Sequence, residues 1–374
     1  MRDISQIKRI IVKVGSSSLC DANGQINKEK TLNIISQIAT LHRRGYMVVL
    51  VSSGAVASGM GIMGLDHKPS TLPKKQALAA IGQAHLMEIF EELFAIYNMK
   101  CAQILLTHDD FDDRKRLLNM FNTINALSEY GVIPIINEND ALATDEIKVG
   151  DNDTLSALMV PVVEAQLLIL VSDIDGLYTA NPQIDENAKF LSYVDKVDKK
   201  IMSYAGDAGS AIGTGGMTTK LKAAKMVNAF GTHMCIVNGN KENAIVNALV
   251  DEGTWFNGSK GKSMKARPHW IAYRSKAKGS ITVDDGCKNA IVNHHRSLLP
   301  GGIVDVDGHF THGQVVDIID LQGRKIARGI SNYANEEVRL IKGLKTSQIE
   351  SVLHHNDYDE VIHANNIVIM EEEK

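Results

Sequence analysis

Cysteine is scarce and dispersed: the 374-residue chain has four, Cys20, Cys101, Cys235 and Cys287, with no C-x-x-C pair among them. This spacing excludes a disulfide framework and a thiolate zinc site, and it fits a reducing compartment. Long apolar runs are missing too. The run Leu167 to Val171 falls far short of the about 20 apolar residues of a membrane-spanning helix. The opening MRDISQIKR has no apolar signal core, so a cytoplasmic protein with no membrane partner is expected. Nor does one sign of charge dominate. With 40 Lys and Arg against 44 Asp and Glu, the formal net charge is −4, and no overall field draws the chain to nucleic acid or anionic lipid. No fixed-period repeat or low-complexity tract is present.

What is there alternates. Ile10 to Val14, Val48 to Val51, Ile104 to Leu106, Val132 to Ile136, Leu167 to Val171 and Met234 to Val237 read as buried parallel strands. Between them, Lys28 to Arg44, Lys74 to Asn98, Asp113 to Tyr130 and Thr218 to Phe230 carry helical spacing. The pattern predicts an α/β unit over 1–258, with an open, mostly parallel sheet sandwiched by helices. Residues 259–278 form a basic linker: GSKGKSMKARPHWIAYRSKAKG, Gly258 to Gly279, holds seven Lys or Arg and no acid. Beyond it, short alternating runs between Gly and Asp turns predict a small β-rich domain with a tail, 279–374.

In an open α/β sheet, ligands bind where the strands end. The residues there share a character: VKVGSSS at Val12 to Ser18, VSSGA from Val51, INEND to Asp140 and VSDIDG from Val171, with IGTGGMTTK at Ile212 to Lys220 opening a helix. Glycines and small hydroxyl residues let backbone N–H groups approach phosphate oxygens, and a helix N-terminus adds its dipole. Lys13, inside an apolar strand, is costly unless it meets an anion. Lys220 on the first turn after the glycines is placed to reach a terminal phosphate. The glycine loop is not a Walker A motif, because Gly261-Lys262-Ser263 has Phe256 where the first glycine belongs. The carboxylates Glu138, Asp140, Asp151 and Asp153 would repel a phosphate unless they orient lysines, meet an ammonium group or hold Mg²⁺.

These segments, in this order, resemble the amino-acid kinase family, and within it the branch that phosphorylates glutamate. IKVGDND at Ile147 to Asp153 and GTGGMTTK are the most discriminating. SITVDDG at Ser280 to Gly286 and SLLPGGI at Ser297 to Ile303 resemble a PUA domain. The resemblance implies transfer of the ATP γ-phosphoryl group to the γ-carboxylate of L-glutamate, the first step of proline biosynthesis, with Mg²⁺ as cofactor. It implies catalytic roles for Lys13, Lys220 and Asp153, the last holding the two lysines. Ser53, Asp140 and Asn152 match glutamate-binding positions. Lys13, Gly15, Ser16, Ser172, Asp173, Thr214, Gly215, Gly216, Met217, Thr218, Thr219 and Lys220 match the ATP site. The Mg²⁺ ligands are unassigned. A homo-oligomer, dimer or tetramer, and feedback inhibition by proline are also implied, and the hydrolytic lability of γ-glutamyl phosphate makes a reductase that consumes it an expected partner.

Two alternatives remain at this level. One is another amino-acid kinase, acting on aspartate or acetylglutamate. The other is an RNA-binding protein acting through the C-terminal module. From Gly279 to Lys374, nine Lys or Arg stand against fifteen Asp or Glu, the wrong sign for following a phosphate backbone. The pairs His294-His295 and His354-His355 read as surface residues rather than metal ligands.

Overall fold

The computed structural model describes residues 2–21, 25–107, 110–111, 114–142, 152–205, 216–258, 277–355 and 358–370. The chain divides into two compact units, Met1–Ser263 and Met264–Lys374. Nearly all of the basic stretch 259–278 lies outside the described residues, as does the discriminating segment 147–151.

The apolar runs become the strands of the first unit: β1 Arg9–Val14, β2 Met47–Val51, β3 Lys100–Leu106, β4 Val132–Glu138, β5 Leu167–Ser172, β6 Tyr193–Val194, β7 His233–Asn238 and β8 Thr254–Phe256. They join in one eight-stranded sheet, in the order β3-β4-β2-β1-β5-β7-β8-β6. Neighbours from β3 to β7 pair in parallel; β8 runs antiparallel to β7. Helices α1 Lys28–Arg43, α2 Ala55–Ile62, α3 Leu72–Ala95, α4 Arg114–Glu129, α5 Asn152–Val163 and α6 Met217–Asn228 supply the layers around it. After β1 the chain adds strands on one side of it, and β5 then opens the other. Such a reversal leaves a crevice at the carboxyl ends of the strands.

Strand alternation decides what β1 presents to each face. Ile10, Val12 and Val14 pack in the cluster that includes Ile34, Ile35 and Ile38 of α1 and Phe90 and Phe94 of α3. Lys13 has the opposite parity and meets α5.

Helices α2 and α3 touch backbone to backbone. A Cβ on Gly82 would fall 1.9 Å from the Ala55 carbonyl oxygen, and one on Gly59 would fall 2.0 Å from that of Leu78. Gly82→Ala is expected to destabilise the unit by about 3 kcal/mol through overpacking, read as a lower thermal midpoint. An unchanged midpoint would show that the two helices part at no cost.

The second unit has a five-stranded sheet, β10-β9-β11-β12-β13, built from β9 Gly279–Val283, β10 Ile303–Gly308, β11 Val315–Ile319, β12 Lys325–Ile330 and β13 Ile367–Ile369. Ile281, Val316, Ile318, Tyr333 and Val338 are among its core residues. Helices α7 Asp285–His294 and α8 Asn335–Ile341 lie between strands, so the module is less purely β than its sequence suggests. Asp284 caps α7 by accepting from the Cys287 N–H at 2.7 Å. The buried Asp320 carboxylate receives Lys288 Nζ at 2.8 Å and Arg324 Nε at 3.0 Å. His295 and His354 each end a helix in the left-handed conformation, at φ 49° and 61°.

Among the described residues no helix is long and apolar enough to cross a membrane. All four cysteines are free thiols. Burial pushes Cys20 and Cys101 up to about 11 and Cys235 and Cys287 up to about 12, which leaves them protonated at neutral pH.

Candidate active site

Three side chains from distant parts of the chain meet at the carboxyl edge of the sheet. Lys13 Nζ lies 2.6 Å from Asp153 Oδ1, and Lys220 Nζ lies 3.2 Å from Asp153 Oδ2. All three are buried, with relative exposures of 7%, 6% and 0% for Lys13, Lys220 and Asp153. Burial alone would raise the Asp153 carboxyl. The adjacent Lys13 and Lys220 ammonium groups, with hydrogen bonds from Lys13 and Thr219, outweigh it and hold the group below the ordinary carboxylate range.

Helix geometry explains the placement. Asp153 is on the first turn of α5, where a carboxylate meets the positive end of the helix dipole. Lys220 is on the first turn of α6, where a cation is disfavoured by the same dipole; its partner is Asp153 on the neighbouring helix. Thr219 Oγ1, on that turn, donates to Asp153 Oδ2 at 2.9 Å. Two cations and one anion leave the triad one net positive charge beside a helix N-terminus, an arrangement that attracts a further anion.

A second cluster starts one residue earlier. The Asn152 side-chain amide donates to Ser53 Oγ at 2.8 Å, to Asn137 Oδ1 at 3.1 Å and to the Ser52 carbonyl. Asn137, in β4, donates to Gln83 Oε1 at 2.8 Å and accepts from the Glu138 N–H at 2.9 Å. Ser53 follows β2 and precedes Gly54, which caps α2 at φ 98°, a conformation glycine adopts without strain. Half-buried Asp140 stands two residues beyond β4, at the same edge.

On the other side of the triad, Gly15 begins a single helical turn, Ser16–Leu19, directly after β1, with Ser16 exposed. Ser172 ends β5 and donates to Asp173 Oδ1 at 3.1 Å. Gly216 is the extended N-cap of α6, followed by Met217, Thr218 and Thr219. Thr214 and Gly215 lie outside the described residues.

A model of the amino acid kinase family matches residues 8–238, and a PUA domain model matches residues 279–353. A protein of Caldanaerobacter subterraneus subsp. tengcongensis named Glutamate 5-kinase is 48% identical over 97% of this chain and 98% of its own length. The chain belongs to the amino acid kinase family, among its glutamate 5-kinases. Further relatives with the same name come from Citrifermentans bemidjiense, 45% identical over 98% of this chain and 99% of its own, and Carboxydothermus hydrogenoformans, 45% identical over 99% and 100%.

The site includes one residue that motif reading passes over and one that it names without a role. Gln83 and Asn137 complete the Asn152 cluster. Gly239 is packed against β5, where its N–H donates to the Ser172 carbonyl at 2.8 Å and an added Cβ would fall 2.6 Å from Val171 Cγ1. Gln83 did leave a trace in the sequence: it interrupts the apolar stripe Ala79, Leu86, Met87 and Phe90 of α3, where a polar residue must find a partner inside. Among the described residues no group of three or more His, Cys, Asp and Glu is arranged to hold a metal ion.

Proposed function

We propose that this kinase transfers the γ-phosphoryl group of ATP to the γ-carboxylate of L-glutamate, forming γ-glutamyl phosphate in the cytoplasm as the first step of proline biosynthesis. One observation carries the reading: Lys13 and Lys220 converge on the two oxygens of Asp153. A glutamate side-chain carboxylate, with a reference pKa of about 4.3, is already ionised at neutral pH, so the reaction needs no general base. Its obstacle is the repulsion between an anionic nucleophile and an anionic phosphoryl group, together with the entropy of aligning them.

The triad addresses the first term. Asp153 holds the two ammonium groups together, and their excess charge faces the transferring group. The turn after Gly15 and the N-terminus of α6 at Gly216 present backbone N–H groups to the phosphates. Ser172 and Asp173 lie at the nucleotide side, as do 216–219. The Asn152 cluster, with Ser53 and Asp140, addresses alignment by fixing the acceptor. Mg²⁺ supplies further charge neutralisation when bound with the nucleotide.

In this reading 1–258 is the catalytic domain, 259–278 a linker and 279–374 the PUA-like domain. The acyl phosphate product is hydrolytically labile, which favours a reductase as its consumer. Proline at the acceptor site and self-association belong to the same proposal.

Incubation with ATP, Mg²⁺, glutamate and hydroxylamine is expected to yield γ-glutamyl hydroxamate. Turnover confined to aspartate or acetylglutamate would overturn the acceptor.

A further inference from the structure

Gln83 is held on the buried face of α3, 8% exposed, and its Nε2 is buried without a hydrogen-bond partner among the described residues. Buried amide donors are nearly always paired, so an orphan in a native site calls for an external acceptor. The orientation of Gln83 follows from its neighbours. Asn137 Oδ1 accepts both from Asn152 Nδ2 and from the Glu138 N–H, which turns the Asn137 NH₂ toward Gln83. Gln83 must then present its oxygen to Asn137, as it does at 2.8 Å, and keep its own NH₂ for something else. At the other end of the chain, Ser53 Oγ accepts from Asn152, which leaves the Ser53 hydroxyl proton to be donated elsewhere. One polar chain thus ends in two donors.

We propose that Gln83 Nε2, together with the Ser53 hydroxyl, binds the non-reacting α-carboxylate of the amino-acid substrate, making Gln83 a specificity-determining residue. The inference rests on the activity proposed above. Position selects the α- over the γ-carboxylate. Asn137, which Gln83 contacts, is in β4, and β4 lies two strands from β1 and Lys13, roughly 10 Å at ordinary strand spacing. An extended five-carbon dicarboxylate bridges that span with one hydrogen bond at each end. Gly82 supports the placement: its backbone contact with α2 locks Gln83 against the segment that carries Ser53.

The test uses the full chain and two variants. Gln83→Glu keeps an oxygen for Asn137 but replaces the donor with a negative oxygen; Gln83→Met removes both groups at similar volume. Each is expected to raise KM for glutamate about 10- to 100-fold, the worth of a hydrogen bond to a charged group, while kcat and KM for ATP stay within about twofold. A second acceptor, 4-aminobutyrate, keeps the reacting carboxylate and lacks the other. Its kcat/KM is expected to be nearly the same in wild type and variants, so the preference for glutamate shrinks about tenfold or more. A folded variant, shown by a cooperative thermal transition above the assay temperature, with wild-type KM for glutamate would overturn the role, as would equal losses on both acceptors. A wild-type protein that forms no hydroxamate from glutamate would instead overturn the activity and this inference with it.

Discussion

Asp153→Asn is expected to lower the stability of the catalytic unit by about 3–5 kcal/mol and to abolish turnover. The substitution keeps the shape and removes the charge, so the buried Lys13 and Lys220 ammonium groups lose the carboxylate that both contact. Breaking a buried pair leaves uncompensated charge, which costs more than the pair itself contributes. The thermal midpoint should fall by roughly 10 °C, at about 2–4 °C per kcal/mol for a unit of this size. The pH dependence has a definite sign. The folded Asp153 carboxyl is held below its ordinary value of 3.8, so its contribution is complete above that value and disappears as pH falls through the folded one. Wild type and variant should therefore differ most at neutral pH and converge in acid. A constant gap down to the acid limit would mean that ionisation of Asp153 is not the source of the difference.

Lys13→Met and Lys220→Met should each lower kcat about 10²- to 10³-fold, the usual loss on removing one group aimed at transition-state charge. Stability should suffer less than in Asp153→Asn, because either lysine variant leaves one ammonium with one carboxylate. The double variant isolates Asp153 and should be less stable than the single changes add up to. Single-turnover kinetics with saturating ATP separates chemistry from binding. Full kcat in both single variants would end the charge-neutralisation mechanism even if glutamate remained the acceptor.

Most of the parallel sheet was legible because fully buried strands have to be continuous apolar runs. Lys13 was legible for the same reason: a charge in such a run needs an explanation, and Asp153 supplies it. Helix α5 was not. Leu155 to Val163 is apolar on nearly every side, and periodicity cannot separate a buried helix from a strand. Helix α2 was hidden by composition, since AVASGMGI has the small residues of a turn, and its stability comes from contact with Gly82 some 20 positions away. Strands β6 and β8, of two and three residues, are too short for any pattern. The Asn152 cluster was only half visible. Ser53 and Asn152 came through family resemblance, whereas Gln83 and Asn137 join them through tertiary contact alone.

Asn152 and Asp153 are consecutive residues that look toward different clusters, one joined to Ser53 and Asn137 and the other to the two lysines. Their Cα atoms are fixed about 3.8 Å apart by a single peptide link. The helix start therefore works as a ruler whose two marks cannot drift independently. A diacid shorter by one methylene, such as aspartate, can reach one mark or the other. A misplacement of about 1 Å costs on the order of 10²-fold in rate, so under the proposed function selection for chain length would be written into the covalent backbone.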